Sequence, residues 1–209
     1  MLILDARRIL TLPGTQFCDR NMQSGNAVPS ESEDYFANIP FEKVYHEGPT
    51  GGDDSIILHR CAEVLPNSPL DLDQCLRAVF FRSEPERDTL LSMLGADRAR
   101  WVGRCYVSDA LKVFEKRYSF VQYIGLTNEG VTFTLNPRDD RRGVKLSIQV
   151  WDNAGQFIRR FDHGDIPANP PQGHWIYPHT FADGLYRVRV EIEDQLAYDA
   201  CIPLGAALF

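Results

Sequence analysis

The sequence predicts a two-part α+β protein, a small helical bundle followed by an antiparallel β-sandwich. Two observations predict it. Before about Tyr118 apolar residues recur at helical spacing, and after it they alternate with polar ones. Turn residues then separate seven short alternating runs at the spacing of a sandwich. With 209 residues, 44% of them hydrophobic, the chain can bury a substantial core.

Taken in order, Leu2, Ile3 and Leu4, then Ile9, Leu10 and Leu12, suggest one or two short strands. From Pro13 to about Pro40 the composition turns to Gly, Asn, Ser, Pro and acid, which offers few apolar groups to offset ordering entropy. That segment reads as a long loop or arm, with Tyr35, Phe36, Ile39 and Phe41 as its anchors. "GPTGGDDS" is a turn, and Asp53 or Asp54 caps a helix carrying Ile57, Cys61, Val64 and Leu65. Ser68 and Pro69 open a second helix with Leu72, Cys75, Leu76, Val79 and Phe80 on one face. Ser83 and Glu86 form a capping box before Leu90, Leu91 and Leu94, and Gly95 ends that helix. Residues 97–117 read as a third helical stretch, with Trp101, Cys105, Leu111 and Phe114 inward. Three segments result: an arm over 1–52, a helical domain over 53–117 and the sandwich over 118–209.

In the last segment Val144, Leu146, Ile148 and Val150 alternate with polar neighbours and so face a core. Asp152 to Gly155 closes a hairpin onto Phe157, Ile158 and Phe161. Leu185, Val188, Val190 and Ile192 run towards a turn at Glu193 to Gln195. Trp175 is expected to pack between the sheets.

Val150, Asp152, Gly155, Gln156, Phe157 and Ile158, then Gly173 and Trp175, then Gly184, Tyr186, Val188 and Val190 together resemble a known pattern. It is that of the immunoglobulin-like domain of flagellar hook-capping proteins and of C-terminal sorting and adhesion modules. The resemblance covers the last third to two-fifths of the chain and implies an immunoglobulin-like sandwich. Its motifs belong to a fold and not to an activity. Where the pattern has Trp-Asp-Gly, this chain has Trp175, Ile176 and Tyr177.

The residues point away from several chemistries. A net charge of −7 argues against a general binder of phosphate backbones, and Asp139 and Asp140 balance part of the arginine-rich loop at 138–142. The five cysteines form no C-x-x-C pair, which suits free thiols in a reducing compartment. No N-terminal signal region or membrane-spanning run is legible, so a cytoplasmic protein without membrane contact is expected. "GPTGGDDS" lacks the lysine and hydroxyl of a phosphate loop, and no nucleophile elbow is present. His174 and His179 lie five apart across Pro178, which is not a recognised ligand spacing. No metal, cofactor or catalytic residue is therefore expected.

The reading that remains is a non-enzymatic protein-binding or assembly protein, partnered by another protein or by copies of itself. Its expected contact residues are Tyr35, Phe36 and Phe41 in the arm, and Trp151, His174, Tyr177 and His179 on the sandwich. Two alternatives stand beside it. One is a small hydrolase or metal-dependent enzyme using His46, His59, Cys61, His163, His174 or His179. The other is a carbohydrate-binding module with Trp151 and Tyr177 as its aromatic platform.

Overall fold

The structure, a computed structural model, describes residues 1–108, 119–136, 143–166, 172–176 and 181–205, the segment 172–176 by its backbone. The chain divides into two compact units, Leu2–Arg77 and Met1 with Ala78–Phe209. Helix and strand are both present in quantity, so the mixed α+β class is correct.

The first unit is built from short elements: β1 (Leu2–Leu4), α1 (Ala6–Leu10), β2 (Gln16–Cys18), α2 (Glu33–Ala37), α3 (Phe41–Val44), α4 (Asp54–His59), β3 (Glu63–Leu65) and α5 (Leu72–Cys75). Side-chain caps start most of its helices. Asp5 accepts from the Arg8 amide, Ser32 from Tyr35, Asp53 from Ser55 and Asp71 from Asp73. Strands β2 and β3 pair antiparallel, with Phe17 opposite Val64.

This unit corrects several expectations. Ala6–Leu10 is a helix because Asp5 caps it, where a strand was expected. The expected arm is folded: Phe17 and Ser30 exchange backbone hydrogen bonds of 2.8 and 3.0 Å, and α2 follows. The helix capped at Asp53 stops at His59, and Val64 and Leu65 belong to β3. Asp71, not Ser68, caps the next helix, which lasts only to Cys75.

The chain then enters β4 (Leu76–Phe81), α6 (Glu84–Met93), α7 (Arg98–Trp101) and β5 (Cys105–Val107), with 3-10 turns on either side of α7. Leu76, Val79 and Phe80, expected on one helix face, lie instead in β4, which pairs in parallel with β5 through Val79 and Cys105. A bundle is therefore not what these residues build. The capping of α6 is as expected in part. Ser83 accepts from the Glu86 amide at 3.4 Å, while the Glu86 carboxylate reaches back to the Arg82 amide at 3.1 Å. Gly95 follows the helix with φ of 54°.

Among the described residues, seven further strands lie in the second unit: β6 (Val121–Thr127), β7 (Gly130–Leu135), β8 (Val144–Trp151), β9 (Phe157–Ile166), β10 (Gln172–Ile176), β11 (Gly184–Ile192) and β12 (Gln195–Leu204). They form two antiparallel sheets, in the orders β10-β7-β6 and β12-β11-β8-β9. Inner residues of both sheets meet in one apolar cluster, among them Val131, Phe133 and Leu135 from the first and Leu146, Ile148, Val150, Val188 and Val190 from the second.

Alternation carried this region. Val144, Leu146, Ile148 and Val150 are all buried, as expected. On β11 the inward set is Tyr186, Val188, Val190 and Ile192; Leu185 has the opposite parity and is half-buried. Asp152 makes the β8–β9 turn by accepting from the amides of Ala154 and Gln156 at 2.9 and 2.8 Å. Phe157 points outward and is exposed. Glu193 and Asp194 both take positive φ, the conformation that a two-residue hairpin between twisted strands requires. Helix α6 closes one side of the two sheets: Ser83 donates to the Val121 carbonyl on β6 at 2.7 Å, and Thr89 accepts from the Asp199 amide on β12 at 3.0 Å.

Candidate functional site

A cleft of about 630 Å³ opens in the Leu2–Arg77 unit. Its walls come from two stretches of chain. Leu10 ends α1 and Leu12 leads through a turn to Phe17 on β2, while Glu31 precedes α2 and Glu33 and Phe36 lie in it. The Phe17–Ser30 bridge draws the two stretches together. The turn between them depends on Gly14, whose φ is 74° and whose missing Cβ would fall 2.7 Å from the Asn67 amide nitrogen. The Thr15 hydroxyl, buried, donates to the Ile9 carbonyl at 3.2 Å and holds the turn against α1.

The floor of the cleft is aromatic. Phe17 and Phe36 stand 4.5 Å apart at their ring centres, and the row continues through Phe41 at 5.3 Å to Tyr45 at 6.1 Å. Phe17 is buried, Phe36 and Phe41 are half-buried, and Tyr45 is exposed. Glu31 and Glu33 are exposed at the rim, and no cationic residue among the described residues lines the cleft. The surrounding charge has the same sign. Residues 2–77 carry twelve acidic and six basic side chains, so this unit holds six of the chain's seven net negative charges.

The expected contact residues divide accordingly. Phe36 lines the cleft, and Phe41 supports it from behind. Tyr35 turns away: its hydroxyl accepts from the Asp19 amide at 3.2 Å and donates to the Asp19 carboxylate at 3.3 Å. The Arg20 guanidinium, paired with Asp19 at 2.8 Å, holds that carboxyl below its ordinary range, and burial raises the Tyr35 phenol. His59 joins this network through Nδ1, 2.9 Å from the Asp19 carbonyl. Tyr35 thus braces the Asp19 network.

Trp151 lies on the outer face of the four-stranded sheet. Its ring meets Phe157 edge-on at 5.7 Å and the Arg187 guanidinium at 5.3 Å, and Arg187 forks onto Asp199 with two bonds of 2.7 Å. The Trp151 side chain is partly buried against these neighbours. His174 sits on β10 opposite Thr132. Tyr177 and His179 lie outside the described residues. Sequence reasoning missed Leu10, Leu12, Phe17, Glu31 and Glu33 as a set, because only the long-range Phe17–Ser30 bridge makes them neighbours.

Several candidates for enzyme chemistry among the described residues take part in local hydrogen bonds. Ser55 donates to Asp53, while Lys43 donates to Ser55 at 2.5 Å and to Asp53 at 3.3 Å. This trio caps α4 through Asp53 and ties it to α3 through Lys43. His46 Nδ1 accepts from the Arg60 guanidinium at 2.8 Å, apart from the His59 network. Among the described residues, no three His, Cys, Asp or Glu side chains are grouped to hold a metal ion. All five cysteines are free, with Cys18, Cys75 and Cys105 buried and Cys61 and Cys201 exposed. A smaller opening of about 300 Å³ beside α6 is crossed by the Arg82–Glu86 ion pair, with Arg82 4.3 Å from the Phe120 ring centre. Among the described residues, no helix is long and apolar enough to cross a membrane.

No protein-family profile matches the chain, and no curated protein matches it. Among solved structures it is similar to CopC from Methylosinus trichosporium OB3b, at 17% identity and a TM-score of 0.29. That match covers 44% of this chain and 100% of CopC, and a likeness so slight assigns neither fold nor activity.

Proposed function

We propose that the chain is a non-enzymatic protein-binding or assembly protein whose docking point is the cleft of the Leu2–Arg77 unit. One observation carries this reading: half-buried Phe36 and buried Phe17 floor an open cleft whose rim holds carboxylates and no catalytic constellation. An apolar floor rimmed by polar groups suits an extended segment of a partner, because the floor supplies affinity and the rim supplies orientation. The two-sheet unit, read as an immunoglobulin-like sandwich, serves as the rigid scaffold that such domains provide elsewhere.

Capture on the immobilised full chain tests the proposal. Phe36→Ala and Leu12→Ser each weaken the docking floor, and both are expected to retain at least about tenfold less of a partner than the parent chain, as hot-spot truncations do. Circular dichroism identifies which variants keep their fold. A folded variant of either kind that retains the partner fully contradicts the proposal.

A further inference from the structure

We infer that the occupant of this cleft is a basic, apolar-studded extended segment of another protein. The inference rests on the docking role proposed above and adds the chemistry of the partner. Three observations carry it. Leu10, Leu12, Phe17 and Phe36 offer an apolar surface in a cleft of about 630 Å³, room for a few side chains of a peptide and not for a folded domain. Glu31 and Glu33 stand at its rim, exposed, and among the described residues no lysine or arginine lines it to neutralise them. The unit around it carries twelve acidic against six basic residues, a field that draws cationic segments in and turns anionic ones away.

The same field argues against the alternatives. A second copy docking through this unit would bring two acidic surfaces together, and a phosphate-bearing ligand would meet carboxylates. An extended strand with alternating side chains satisfies both parts of the site. Apolar residues on one side reach Phe17 and Phe36, and Lys or Arg between them reach Glu31 and Glu33.

The probes are three end-blocked hexapeptides, alternating Leu-Lys, alternating Leu-Glu and alternating Ser-Lys, titrated into the full chain by fluorescence anisotropy. The Leu-Lys peptide is expected to bind at least about tenfold more tightly than either other peptide, and to weaken several-fold as salt rises from about 50 to about 200 mM. Glu31→Lys with Glu33→Lys is expected to weaken it about tenfold. Glu42→Lys with Glu47→Lys, the same change of net charge placed away from the cleft, is expected to weaken it less than about threefold.

Equal losses in the two double variants would show diffuse attraction and overturn the inference, as would equal binding of the Leu-Lys and Ser-Lys peptides. Preferential binding of the Leu-Glu peptide, lost on Phe36→Ala, would overturn the basic chemistry while leaving the docking cleft standing. Binding of all three peptides that ignores Phe36→Ala and Leu12→Ser would remove the cleft itself.

Discussion

Replacement of Leu146 by alanine is expected to destabilise the Ala78–Phe209 unit by about 3 kcal/mol. Leu146 is 1% exposed on β8, in the middle of the four-stranded sheet and within the cluster that both sheets share. Removing its branched end forfeits the transfer free energy and leaves a void that the neighbouring Ile148, Val188 and Val190 cannot fill without moving strands. The measurement is convenient here. All three tryptophans, Trp101, Trp151 and Trp175, lie in this unit, so their fluorescence during urea unfolding reports on it alone. Leu196→Ala, at a position 41% exposed on β12, is the control and should change stability by no more than about 0.5 kcal/mol. Similar effects of the two substitutions would mean that the shared core is not where the structure puts it.

Ser83→Ala is expected to cost about 2 kcal/mol, more than loss of an ordinary exposed helix cap. The hydroxyl does two things at once. It accepts from the Glu86 amide, which starts α6, and it donates to the Val121 carbonyl at 2.7 Å, which ties that helix to the edge of β6. Ser83 is 4% exposed and Val121 fully buried, so alanine removes a hydrogen bond made away from water. Ser92→Ala, on an exposed turn of the same helix, removes a hydroxyl without either role and should be close to neutral. Urea midpoints for the two variants separate the outcomes: comparable midpoints would show that α6 is not fastened through Ser83.

How much of this was legible in the sequence varies with how local the cause is. The strands of the second unit were readable because a half-buried ribbon forces every second residue inward, and Val144, Leu146, Ile148 and Val150 obey that constraint without help from distant residues. The turns at Asp152 and at Glu193 to Asp194 were readable for the same reason, since their geometry is set within four residues. The capping of α6 was legible at Ser83 for its local signal, although the Glu86 carboxylate reaches Arg82 instead of the cap amide.

The stretch from Asp53 to Phe81 was harder. Over so short a window the positions of Leu72, Cys75, Leu76, Val79 and Phe80 fit a helix face, yet pairing with β5 turns the second half into a strand. The enriched β-branched and aromatic residues of "AVFF" were the sign that periodicity outvoted. The cleft had no local signal at all. Leu12 and Glu31 are nineteen positions apart in sequence, and what makes them neighbours is the backbone bridge between Phe17 and Ser30 in a segment whose composition suggested an arm. Phe36 was named from its position near apolar anchors, and Tyr35 beside it faces the Asp19 network because successive helical residues point in different directions.

The claim that matters most is that the cleft between the α1 turn and the start of α2 is where a partner docks. Hydrogen–deuterium exchange on the full chain, with and without captured partner, addresses it directly. The account predicts slowed exchange confined to residues 10–17 and 31–36, with the two-sheet unit unchanged. Protection that appears along β9 or around Trp151, with none at residues 10–17 and 31–36, would contradict it.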